Sequence, residues 1–493
     1  MSTSSSSLQT SVSPLLKQAA VVWPNFLTTY LMTIIATYLT GVWEISITDA
    51  AAIVNIYWGV VGILPLALKL IVDAFIGSYW MIFISKVAFI AGLGLLTLST
   101  VEKILLYISL PLIAVGVSAY IASTLTPIGD QSKPLSSSSE SEPLLVPGAS
   151  ESGNASTGTA NAHWTAALFE NVLLAVLAVF LPVSALIAVG YVSPWWIKFL
   201  IPTAVTVVAT IILLTDSSSS YQREQGGLYI FNSIFTTIHI KTVLFAIPMC
   251  ITFILLGVVS SIGNAFFIEQ AVDMNHYVGS LWVPILILPG IQGSVRKNWG
   301  VAGECCAKVP KFGIAMSMVF ATLCCITAAK VETRRLGVVE TEGFSDDATS
   351  IIPMTMFWLL PQYILLGLSE AFSEKCIAGF FSDELLLGAN EGDEAAKGAK
   401  KKYIESFAQA VNGVGIILGV LIVYIVGEIQ PTWFQSTVNK SRLDNYFWTL
   451  AALFAVTLVL FGLFSCCLSV YEFKRRSTED VEGNVTPATT TTT

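Results

Sequence analysis

Charge is what this sequence has least of. Asp, Glu, Lys and Arg together make up only 12% of its 493 residues, about half the share a soluble domain carries. That deficit excludes a large soluble core. The net charge of −8 excludes a nucleic-acid partner as well, because phosphate binding needs a basic surface. Histidine is nearly absent: His163, His239 and His276 lie far from one another and from the cysteines, so no metal site is visible. No CxxC pair occurs. The eight cysteines are Cys250, Cys376 and the doublets Cys305–Cys306, Cys324–Cys325 and Cys466–Cys467. Adjacent cysteines rarely bridge, and they read as small apolar filler, with palmitoylation at Cys466 or Cys467 the chemical alternative. P-loop, GxSxG, HExxH and dinucleotide fingerprints are all missing, so neither an enzyme nor a cofactor is expected.

What remains is apolar. Hydrophobic residues make up 54% of the chain and mean hydropathy is +0.73. Runs of about 20 apolar residues recur along it, each the length of one hydrocarbon crossing. The expected fold class is an all-α membrane protein of twelve transmembrane helices. They are placed at 21–43, 51–72, 79–100, 104–126, 166–191, 195–215, 242–265, 277–292, 311–330, 351–381, 404–427 and 446–470. The first run lacks a small-residue cleavage pattern and reads as a retained helix rather than a cleaved signal peptide. Residues 1–20 read as a disordered cytosolic N-terminus, 21–215 as a six-helix half, 216–241 as a linker, 242–470 as a second six-helix half and 471–493 as a cytosolic tail. The segment 128–163 is a low-complexity loop too poor in apolar groups to offset its ordering entropy.

With both termini cytosolic, about sixteen Lys/Arg fall inside and about seven outside, as the positive-inside rule asks. Arg334–Arg335 is the main violation. Two halves joined by a polar linker suggest transport by alternating access.

Polar residues within apolar runs are the site candidates. Foremost is Glu370, deep in FWLLPQYILLGLSEAF, Phe357 to Phe372. A charge there costs at least about 2.5–3.5 kcal/mol, so it must face a cavity, a partner or the bundle interior. Glu374 lies one turn on; it either repels Glu370, favouring proton uptake, or reaches water beside Lys375. Lys86, two turns into the third helix, either couples protons or snorkels. Ser260 and Asn264, with Gln409 and Asn412, either line a cavity or bond between helices, and Gly413, Gly415 and Gly419 allow close approach. Lys69 and Asp73 are spaced to pair on one face or snorkel at the interface, and Asp73 to Ser78, with Gly77, forms a tight turn. Asn439 opens a sequon on the outer side and is the candidate glycan acceptor. Asn154 opens another, on the cytosolic side.

Several blocks carry a family resemblance. The stretch Tyr38 to Ile82, with its YLT and Asn-x-x-Trp, the block FWLLPQYILLGLSEAF, the segment FFIEQ at Phe266–Gln270 and VNKSRLDNYFWTLAAL at Val438–Leu453 resemble the plant nitrate transporter 1/peptide transporter family. That family belongs to the proton-dependent oligopeptide transporters of the major facilitator superfamily. The resemblance implies a major facilitator fold and a secondary transporter of nitrate, small peptides or small plant metabolites. It also implies a small-molecule or anion substrate and protons as partners, besides the lipid bilayer. The departures bear on coupling. The family's ExxER falls at Val21–Asn25, which reads VVWPN, and its helix 4 lysine falls near Ile121. The alternative is a degenerate, non-transporting member with a regulatory or interaction role. Glu140–Leu145, ESEPLL, fits an acidic dileucine motif (Glu140, Leu144, Leu145) that sorting adaptors read, so the expected residence is the vacuolar or plasma membrane.

Overall fold

A computed structural model describes residues 22–124, 179–215, 240–344, 351–386 and 394–483, together with Val172 and Val176. The N-terminus, the loop at 128–163 with Glu140, Leu144 and Leu145, and the linker up to 239 lie outside these residues. The described chain is mostly helical. Eight of its helices are long and apolar enough to cross a membrane.

The described residues divide into two compact units, Met1–Glu44 with Leu64–Phe231 and Ile45–Ile63 with Asn232–Thr493. The first begins with helix α1 (22–33), which breaks at Ile34 before α2 (Ile35–Gly41). Helix α3 (Ile47–Ile71) is shared: its first part counts with the second unit. Ser46 starts it, accepting the Asp49 N–H at 3.2 Å and donating to the Asp49 carboxylate at 2.8 Å, a reciprocal cap. The chain then widens into a π-helical turn over Val72–Ile76, closed by the Gly77 N–H on the Val72 carbonyl at 2.8 Å, and turns at Gly77, whose φ of +79° suits glycine. Helices α4 (Ser78–Leu98), α5 (Lys103–Thr124), α6 (Val179–Gly190) and α7 (Trp195–Thr215) complete this unit. Ser85 donates to the Gly116 carbonyl at 2.8 Å and joins α4 to α5. Tyr38 is buried against Trp195 and Phe199 and is held by Ser99 at 3.2 Å and Trp43 at 3.1 Å.

The second unit continues with α8 (Ile240–Asn264) and α9 (Phe266–Val272). The sequence expectation of a helix at 277–292 is corrected here. Strands β1 (Met274–Asn275), β2 (Tyr277–Val278) and β3 (Leu281–Trp282) occupy its start. β2 and β3 form a hairpin whose turn contains Gly279 at φ +63°. The helix proper, α10, spans Ile287–Cys306. It carries Arg296, Lys297 and Glu304, and an average-hydropathy reading slides off such a helix toward its apolar flank.

Helix α11 (Pro310–Glu342) runs well past its expected end at 330. The expected helix at 351–381 begins instead as strand β4 (Ile352–Thr355), parallel to β1, and a 3₁₀ turn at Met356–Leu359. Only then does α12 (Leu360–Leu386) start, with Pro361 in its first turn, where a missing N–H costs nothing. Helices α13 (Glu394–Ile429) and α14 (Leu443–Gly483) follow, the latter continuing into the expected tail.

Glycines set the closest helix contacts. A Cβ on Gly413 of α13 would lie 2.7 Å from the Gly59 carbonyl oxygen and 3.1 Å from the Gly62 Cα of α3. On the other flank of α13, Gly415 meets Gly257 of α8 equally closely. Small residues let backbones approach where lipid supplies no hydrophobic drive.

Candidate functional site

The polar residues of the second unit converge on α12. Glu370 is half-buried, and each of its carboxylate oxygens accepts one neutral donor. Ser260 Oγ on α8 donates to Oε1 at 3.1 Å, and Gln292 Nε2 on α10 donates to Oε2 at 2.9 Å. One turn from Ser260 on the same helix face, Asn264 donates to Asn55 Oδ1 at 3.4 Å. One turn from Gln292, Arg296 reaches Glu374 through Nη2 at 3.0 Å and Nε at 3.1 Å. The i,i+4 spacing on both helices therefore makes a two-rung ladder, Gln292 to Glu370 and Arg296 to Glu374. Close approach of α10 and α12 permits it: a Cβ on Gly367 would lie 2.7 Å from the Gln292 carbonyl oxygen.

The ladder changes the expected role of Glu374. It is engaged by Arg296 instead of repelling Glu370, while Lys375 turns to Glu304 at 3.9 Å. A cleft of about 470 Å³ opens beside the lower rung, walled by Arg296, Lys297, Glu304, Glu374 and Lys375.

Ser260 and Asn264 thus join Glu370 in one continuous strip. Gln409 and Asn412 are half-buried on α13, beside the glycine contacts. Lys86 sits elsewhere, in the first unit. It is fully buried, its Nζ 5.2 Å from the Tyr120 ring centre and 5.7 Å from that of Phe89. This placement corrects the snorkelling alternative: the ammonium faces aromatic rings. Lys69 and Asp73 do pair, at 3.5 Å, and both are buried.

Sequence reasoning missed Gln292, Arg296 and Asn55. The signal was present, since Gln292 and Arg296 repeat the four-residue spacing of Glu370 and Glu374. It is masked because the apolar average of the region lies one flank before α10.

A second polar cluster lies at the other end of the unit. Arg335 and Glu332 are fully buried and bonded through two N–H groups, each at 2.8 Å. Gln270 donates to Glu332 at 2.7 Å, and Gln362 donates to Gln270 at 3.3 Å. Arg335 also donates to Val438 O at 3.0 Å and to Asn439 Oδ1 at 2.5 Å. Its neighbour Arg334 stacks on the Trp358 ring at 4.0 Å. Arg335 is thereby an internal structural cation rather than a loop charge, while Arg334 is exposed on the same helix. The same contacts correct the expectation for Asn439. That residue is 5% exposed and turned inward, so no glycan fits there. Burial pushes the nearby Asp273 carboxyl up to about 6, and the Arg335 guanidinium opposes the shift. Among the described residues, no group of three or more His, Cys, Asp or Glu could hold a metal ion.

No protein-family model matches the chain. Protein NRT1/PTR FAMILY 5.5 of Arabidopsis thaliana is 27% identical to it, over 90% of this chain and 94% of that protein. Protein NRT1/PTR FAMILY 5.10 of the same plant is 23% identical over 85% of each. Among solved structures, a peptide transporter of the POT family in complex with sulfate superposes with a TM-score of 0.59 at 13% identity, covering 91% of this chain and 93% of that one. Shared fold and shared blocks point the same way: over nearly its whole length the chain is similar to NRT1/PTR family proteins, and its fold is that of solved POT family transporters.

Proposed function

We propose that this chain is a secondary transporter that moves a small molecule by alternating access. It has twelve spanning helices in two six-helix halves, with Glu370 at the heart of its solute site. The observation that carries this reading is the Glu370 carboxylate, half-buried in the second unit and hydrogen-bonded by the neutral donors Ser260 and Gln292. Neutral donors satisfy its lone pairs without cancelling its charge, so a solute or a proton can supply what is lacking. Solved relatives support a small-molecule cargo: one POT family transporter was solved in complex with 5-aminolevulinic acid. Residence in the vacuolar or plasma membrane, through adaptors reading Glu140, Leu144 and Leu145, belongs to the same proposal.

The test is uptake of labelled solutes, including nitrate and a dipeptide, by cells expressing wild type or Glu370→Gln at acidic and neutral outside pH. Acid-stimulated uptake lost in the variant supports transport coupled through Glu370. Uptake indifferent to pH identifies a uniporter.

One observation favours the second reading, a non-transporting member. Trp23 in VVWPN donates to Ser184 at 3.1 Å, so this stretch serves packing and carries no titratable group. Saturable uptake of any solute ends that reading.

A further inference from the structure

We infer that Lys330 and Arg334, near the expected outer end of α11, hold the phosphate of an anionic phospholipid headgroup. The inference goes beyond the transport reading. It needs the chain to span a bilayer, not to move a solute.

Depth carries the argument. Residues 312–329 of α11 include no charged side chain. At about 1.5 Å per residue they span about 27 Å, close to the ~30 Å thickness of the hydrocarbon core. Lys311 and Lys330 therefore bracket the hydrocarbon. Arg334 lies one turn further on, about 6 Å beyond Lys330, at the level of the phosphates. Both Lys330 and Arg334 are exposed, whereas Glu332 and Arg335 are buried toward the protein. Leu323, also exposed, precedes Lys330 by seven residues and Arg334 by eleven, so all three share one helix face. That face meets acyl chains along its length and headgroups at its end.

The chemistry at that end suits an anion. The Arg334 guanidinium lies over the exposed Trp358 ring, 4.0 Å from its centre. Stacking uses the face of the guanidinium plane and leaves its edge N–H groups to donate, the geometry a phosphate requires. Lys330, one turn away, adds a second positive charge on the same face. Two acids of α11 are engaged elsewhere: Glu332 is bonded to Arg335, and Glu340 acts on Arg442. Trp358 sits at the boundary that indole rings favour in a bilayer. Cations on the outer side do nothing to orient the chain, and a lipid phosphate gives them a role. A choline headgroup brings its own ammonium and cancels its phosphate, so a headgroup of net negative charge is the better match for two cations.

Thermal melting of the purified full chain in neutral detergent is the test, with phosphatidylglycerol, phosphatidylcholine or inorganic phosphate added. Phosphatidylglycerol is expected to raise the melting temperature saturably, and the other two are not. Lys330→Gln with Arg334→Gln should weaken that apparent affinity about fivefold for each cation removed. Lys474→Gln with Arg475→Gln, a basic pair in the expected cytosolic tail, is the control and should leave it unchanged. Lys330→Gln alone alters one exposed side chain, and it carries the test if the double variant fails to fold. Equal effects of the two lipids would overturn the inference, as would an affinity that the Lys330 and Arg334 changes leave intact. A loss as large in the control pair would mark general charge attraction and overturn it too. A rise produced by inorganic phosphate alone would make the ligand a soluble anion and sink the lipid assignment.

Discussion

Gln292 and Glu370 meet at 2.9 Å across two helices, although 78 residues separate them in the chain. That crossing fixes the register of α10 against α12 and with it the Arg296–Glu374 pair one turn on.

The crossing depends on Gly367. Its Cβ position lies 2.7 Å from the Gln292 carbonyl oxygen and 3.2 Å from Val295 side-chain carbons. Gly367→Ala must push the two helices apart, since a backbone atom cannot swing aside. We predict a destabilisation of about 1–3 kcal/mol and a loss of uptake larger than the fall in surface expression. Melting of the purified protein and flux per surface molecule measure the two effects.

Arg335 and Glu332 are both fully buried. Removing only one leaves an uncompensated charge, so Arg335→Met is expected to cost about 3–5 kcal/mol. The double change Arg335→Met with Glu332→Leu should recover much of that loss. Arg335→Lys will not substitute, because a point charge cannot serve Glu332, Val438 and Asn439 together. Thermal melting of the three variants is the check.

Asp273 gives the stability a sign in pH. Its carboxyl is raised from the ordinary 3.8 to about 6, chiefly by burial. The folded state therefore favours the protonated form. That contribution is full below about 4 and is lost as pH rises through about 6. Asp273→Asn should flatten this part of the melting profile, and its most visible gain should come at neutral pH.

The sequon at Asn439 should stay bare. Asn439 accepts from Arg335, and Ser441 of the same triplet is buried, donating to the Thr437 carbonyl at 2.7 Å. Glycosidase treatment of protein expressed in a secretory host should leave its gel mobility unchanged.

Hydropathy made the lipid-facing part of the fold legible. The helix expected at 195–215 coincides with Trp195–Thr215, and Gly77 turns where a glycine was expected to turn. The same measure failed where helices face polar groups. α10 carries Arg296 and Lys297 along with Gln292, so its apolar average pointed to residues that fold as a hairpin. Glu370 stood out because a lone carboxylate in an apolar run has a high cost. Its partners did not, because a glutamine and a serine are unremarkable until a distant helix is laid beside them. Arg335 misled for a related reason: a charge count cannot distinguish a cation in water from one enclosed by Glu332 and Asn439.

The glycine seams of α13 have a mechanical consequence. Gly413 rests on Gly59 and Gly62, and Gly415 on Gly257, so backbone meets backbone along both flanks. The seams are nonetheless notched: the Ile417 side chain of α13 fills the space over Gly59, and the Ser261 side chain of α8 fills that over Gly419. α13 is keyed like a splined shaft, and moving it along its axis means lifting two side chains out of their slots.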